Sequence, residues 1–220
     1  MADQDALLDR IRVTHTEIQR IAPFRDMGLV PNPGASKAKI KKAEERIGRP
    51  LPPSYRAFLA RHDGWPRFYE GATLLGTALL GKPSYAELAR LAFEAAETPV
   101  PDLGPPSRAQ RLSIIPFGID AQATTLFAFN VDVMNADGEY EVVAWINELG
   151  VRRSSFPEFL ELVLELSEAE LDAHVQNGPS VEELLDHEVR GAYLANIALK
   201  RPLTLCAIFG SMRAARPGAG

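Results

Sequence analysis

Four histidines, one cysteine and a scatter of carboxylates are the side chains on which catalysis in this 220-residue chain would first be sought. Their spacing argues against it. His15, His62, His174 and His187 stand singly. His174 and His187 have Asp172 and Asp186 nearby, but neither has a second ligand four residues on, as a helical metal site requires. His62-Asp63 falls where a helix is due to stop, and neighbours there more often cap or solvate than exchange protons. Cys206 sits in the apolar run LTLCAIF, where a thiol is usually buried and inert. No G-x-S-x-G elbow, P-loop or G-x-G-x-x-G is present. Elimination leaves a binding protein, with no enzyme activity, cofactor or metal expected.

Charge says more about what is bound. The net charge of -5 conceals a strong asymmetry. Residues 1–111 carry 17 basic and 13 acidic side chains, residues 112–189 carry 2 and 16, and residues 190–220 carry 5 and none. A block of that sign repels nucleic acid and steers a basic protein partner, although it also serves solubility. Within it, Asp132, Asp137, Glu139 and Glu141 cluster about one turn and are the expected partner contacts. Trp65 follows a helix-stopping glycine, where it either plugs the core or anchors a partner, and the plug is favoured. Lys37, Lys39, Lys41 and Lys42 lack interleaved aromatic residues and read as a solvated helix face.

The elements that must position these residues are legible from periodicity. Leu7, Leu8, Ile11, Ile18 and Ile21 predict an amphipathic helix ending before Pro23, followed by a linker, PFRDMGLVPNPGA. Ser36 caps a second helix that Gly48 stops, and Pro52-Pro53 start a third, with Tyr55, Phe58, Leu59 and His62 on its inner face. Thr73–Leu80 reads as a strand. The S-x-x-E spacing at Ser84, Ser155, Ser167 and Ser180 marks four helix starts, and TPVPDLGPPSRAQR reads as an exposed loop. LSIIPFGI, TTLFAFNVD and EYEVVAWINE predict an antiparallel meander, over which Phe156, Phe159, Leu160, Val163 and Leu164 pack a helix. SEAELDAHV and SVEELLDHEVRGAYLANIALK read as two further helices. A lone cysteine and the lack of any long apolar run predict a soluble cytoplasmic protein, unassociated with membranes.

The order of these segments resembles a known family. I-x-x-A-E-x-x-I-G-x-x-L-P-x-x-Y-x-x-F-L-x-x-H-D-G-W, from Ile40 to Trp65, is similar to the N-terminal signature of the SUKH superfamily, and IIPFGID, LFAFNVD, EVVAWINELG and SFPEFLELVL follow in that family's order. The resemblance implies an α+β fold, a central antiparallel sheet flanked by helices, here with extra N- and C-terminal helices. It implies three parts: a helix and linker over 1–35, the SUKH-like domain over 36–166, and a helical extension and tail over 167–220. It also implies binding without catalysis. In bacteria such proteins neutralise toxins by direct contact, and in fungi they act as regulatory adaptors of the cell-wall-synthesis-regulator type. The expected partner is a basic toxin domain, a nuclease for instance; Asp63, where the family usually has asparagine, and the two extensions depart from the pattern.

Overall fold

The computed structural model describes residues 4–97 and 113–177, apart from 24, 26, 147 and 148; for 91–97 and 149 it describes the backbone alone. Residues Met1–Val175 form one compact unit and Gln176–Gly220 a second, nearly all of it outside the described residues. The first unit runs α1 (Gln4–Ile21), α2 (Lys37–Ile47), α3 (Pro53–Arg61), β1 (Trp65–Tyr69), β2 (Ala72–Leu74), α4 (Pro83–Glu97), β3 (Ile114–Ile119), β4 (Thr125–Met134), β5 (Tyr140–Ile146), β6 (Leu149–Arg153) and α5 (Phe156–Asn177). The six strands form one antiparallel meander in the order β1-β2-β3-β4-β5-β6. The α+β architecture expected from the sequence is therefore the one observed.

Strand alternation builds the core. Ile115, Phe129 and Val142 lie opposite one another across β3, β4 and β5, and Phe127 lies opposite Ala144, so these side chains share one face. Helices α3 and α5 cover that face. Tyr55 of α3 meets Phe129 at 5.2 Å and Phe156 of α5 at 5.0 Å, Phe117 stacks on Phe129 at 4.2 Å, and Phe159 packs on Phe127 at 4.8 Å. Each of these phenylalanines is fully buried, and burying one contributes roughly 1.5–3 kcal/mol. The buried Tyr55 hydroxyl donates to the carbonyl oxygens of Leu75 and Phe117, at 2.8 and 3.3 Å. It thereby satisfies the one polar atom such a core cannot leave unpaired.

The segment expected to be a linker is bonded down along its whole second half. Gly28 N–H donates to Arg67 O at 2.7 Å, Asn32 N–H to Gly64 O at 3.0 Å, Asp63 N–H to Pro33 O at 3.2 Å, and Ala35 N–H to Leu59 O at 2.8 Å. Residues 28–35 thus form a strap along β1 and the end of α3. Trp65 fixes it: the indole is buried, and its Nε1–H donates to Gly28 O at 2.7 Å. Glycine is required at position 28, where a Cβ would stand 1.7 Å from Pro66 O.

Helix α1 docks through Leu7, Leu8, Ile11 and Ile18, all buried. On α5 it meets Ser167, whose Oγ lies 3.1 Å from His15 Nε2, and Glu168, paired with Arg10 at 2.8 Å. Arg25, ahead of the strap, reaches Glu70 at 2.8 Å and Glu170 at 2.7 Å. Burial opposes its charge, but the two carboxylates outweigh that and hold the guanidinium more firmly protonated than usual.

Several local expectations hold: Ser36 Oγ accepts from Lys39 N–H at 3.4 Å, Gly48 is a left-handed C-cap, and Pro53 opens α3. Others are corrected. Trp65 begins a strand instead of lying on a loop, and the strand read over Thr73–Leu80 ends at Leu74. The chain turns away there because Asp63 captures Thr77, accepting its N–H at 2.5 Å and its Oγ–H at 3.0 Å. Helix α4 starts at Pro83, ahead of Ser84, and the Glu87 carboxylate pairs with Arg90. Ser167 lies inside the single 22-residue helix α5, because its hydroxyl faces His15 and no glycine or later proline interrupts the apolar face. Strand β6 was not foreseen. Most of the proline-rich loop, the helix expected beyond Gly178 and the LTLCAIF segment lie outside the described residues.

Candidate partner-binding surface

The four expected acidic contacts do converge on one hairpin, formed by β4 and β5. Its turn is built by Asn135, whose side-chain oxygen accepts the N–H groups of Asp137 and Glu139, each at 3.0 Å. Asn135 N–H also donates to Glu139 O at 2.9 Å, and Gly138 supplies the left-handed residue the turn needs.

The four acids play different parts there. Asp137 is exposed at the tip. Asp132 is exposed as well, although one oxygen accepts Ser113 N–H at 3.1 Å. Glu139 is buried and faces inward. Its carboxylate accepts Ser54 N–H at 2.8 Å and Ser54 Oγ–H at 2.5 Å, capping from a distance a helix whose own Pro52 cannot. Glu141 accepts Asn130 Nδ2–H at 2.6 Å and faces Arg152 Nη1 at 3.3 Å, so it closes a polar row across β4, β5 and β6. Trp65 is the core plug, on the opposite edge strand of the sheet. An indole 1% exposed presents no surface to a partner.

Between the exposed acids stand two residues that the sequence reading passed over. Val133 is 49% and Met134 62% exposed, and large apolar side chains side by side at a hairpin tip are not explained by the fold. They line an open groove of about 420 Å³, with Glu141, Arg152, Arg153 and Glu158 around it. Ser154 donates to Glu158 from its N–H at 2.9 Å and from its Oγ at 2.6 Å. These bonds, with a smaller contribution from Arg153, hold the Glu158 carboxyl below its ordinary pKa. The signal in the sequence was VDVM directly before NADG: an alternation of apolar residues running past the point where the core ends.

The arrangement, exposed apolar side chains beside an open groove with charged residues around it, suits recognition. Among the described residues no group of three or more His, Cys, Asp or Glu side chains could hold a metal ion, and no helix is long and apolar enough to cross a membrane.

Comparison with known families places the domain. The profile of the SMI1 / KNR4 family (SUKH-1) matches residues 34–162, more than half of the chain. The chain belongs to that family. The SUKH-1 match opens at Gly34, within the strap, and closes at Leu162, partway along α5. Helix α1 and the distal part of α5 are therefore additions to the family unit, and they are fastened to each other through His15 and Ser167. No curated protein matches the chain significantly. SUKH proteins act in general as non-enzymatic immunity or regulatory proteins, which fits a site made of hairpin and groove.

Proposed function

We infer that this SUKH-1 protein is an immunity protein that neutralises a cognate toxin by direct binding, with the β4–β5 hairpin as the contact. The observation that carries the reading is the pair Val133 and Met134, exposed between Asp132 and Asp137 on a domain of a binding family. Apolar residues rimmed by charge are the usual anatomy of a protein interface. The acidic balance of residues 112–189 supports a basic partner, and a nuclease cleft is basic because it must hold phosphates.

The test is survival of cells expressing the toxin domain encoded beside this gene, with and without this chain. Rescue is expected from the native chain, and loss of rescue from Val133→Asp combined with Met134→Asp, a variant expected to stay folded because neither side chain belongs to the buried core. Growth arrest despite the native chain, or full rescue by the double variant, would remove the proposal.

The alternative is a cytoplasmic regulatory adaptor of the cell-wall-synthesis-regulator type. Helix α1 and the distal part of α5, both outside the family unit, favour it by adding surface that toxin binding alone does not require. A neighbour that is harmless to cells, together with a stable complex between this chain and a housekeeping protein, would select the adaptor.

A further inference from the structure

A six-stranded open sheet has two edges, and this chain treats them unequally. The strap of residues 28–35 meets β1 through the Gly28 N–H bond to Arg67 O and the Trp65 indole bond to Gly28 O, and continues along Gly64, Asp63 and Leu59. Strand β6, among the described residues, pairs with β5 alone. An uncovered edge presents a row of N–H and C=O groups, which natural proteins ordinarily blunt or use.

The neighbourhood of β6 has the chemistry of use. Its end opens into the groove of about 420 Å³ that Val133 and Met134 flank. The carboxylates around that groove are already engaged, Glu141 by Asn130 and Arg152, Glu158 by Ser154. Arg153 Nη1 donates to the carbonyl oxygen of Arg152 at 2.8 Å, so its guanidinium keeps further donors to offer.

We propose that β6 is a strand-addition site for an extended, carboxylate-bearing segment of a partner protein. The segment pairs with the backbone of Leu149–Arg153, sets a carboxylate on Arg153 and lays an apolar side chain against Val133 and Met134. Charge selects this occupant over a second copy of the chain: β6 itself carries two arginines and no acid, so the same strand of a second copy has no carboxylate to set on Arg153. The site stands on the edge and its groove: the carboxylate is a local feature of one segment, which a partner of basic overall charge can carry, and the site does not depend on that partner being a toxin.

The experiment uses the full chain and three capped seven-residue peptides at millimolar concentration. One alternates valine and glutamate, one alternates valine and lysine, and one is the glutamate peptide with alternate backbone nitrogens methylated. Amide hydrogen exchange by NMR reads the site. The glutamate peptide should slow exchange in residues 150–153 at least fivefold and bind at least tenfold more tightly than the lysine peptide. Methylation should abolish the effect, and Arg153→Glu should invert the charge preference. Val151→Pro should abolish binding too, and because that variant risks misfolding, Arg153→Glu carries the decision. Equal affinity for both peptides, protection confined to other strands, or no protection at all would overturn the proposal. So would protection of β6 without peptide that rises with protein concentration, since a second copy would then hold the edge.

Discussion

The two edges of the sheet set a covered and buried region against an open one. At β1 the chain spends residues 28–35 on closing the edge and sinks Trp65 beneath them. At β6, among the described residues, no strand pairs beyond it, and Val133 and Met134 stand exposed nearby. Covered edges resist unwanted association, and an edge with no further strand among the described residues, beside a groove flanked by Val133 and Met134, is the side we propose for association. On the proposed reading, stability is invested at one end of the sheet and recognition at the other.

Three measurements would break or sharpen that contrast. The largest effect belongs to the covered edge. Trp65→Ala removes a buried indole and the donor that holds Gly28 O, and should cost about 4 kcal/mol in denaturant unfolding. Hydrogen exchange of the strap should rise with it. A cost below about 1 kcal/mol would mean that strap and plug are incidental to stability.

Acid should act on the same side. His15 is fully buried, with Ser167 Oγ at 3.1 Å, the Phe68 ring edge-on at 6.0 Å and Nδ1 unpaired. Burial, and secondarily the nearby Arg25 charge, push its pKa down to about 4 from an ordinary 6.5. Below pH 6.5 the unfolded chain takes a proton there that the folded chain refuses. The stability is thus fully present above 6.5 and is lost as pH falls towards 4, by roughly 3 kcal/mol in all. His15→Gln should flatten that part of the pH profile by comparison with the native chain. Identical profiles would show that the histidine bears no such load.

The smallest effect is expected at the open side. Arg152 is half exposed and its pair with Glu141 is long, at 3.3 Å. Arg152→Ala should therefore change stability by no more than about 0.5 kcal/mol. A loss of several kcal/mol would make β6 a structural seam, and the contrast between the edges would collapse.

Much of the frame was legible beforehand because it rests on local physics. The period of Leu7, Leu8, Ile11 and Ile18 predicted α1, Ser36 and Gly48 bounded α2, and the alternation around Phe127 and Phe129 gave the central strands. The candidate surface was half legible. Four acids were brought to one hairpin, yet Glu139 turns inward to Ser54 and Glu141 is committed to Asn130 and Arg152. Spacing along a chain locates a carboxylate; it does not say which donor across 85 residues will claim it.

By itself, then, the sequence determined the fold class, the family, the acidic balance and the lack of a catalytic signature, all properties carried by residue type and short-range order. Tertiary structure alone decided three further things. It placed Ser167 against His15 within one continuous helix, turned a proline-rich linker into a strap over Trp65, and made β6, among the described residues, the last strand of the sheet, hydrogen-bonded to β5. The first two depend on hydrogen-bonding partners distant in sequence and the third on which strands find a neighbour, and whether a polar group is satisfied in place is settled only when the elements meet.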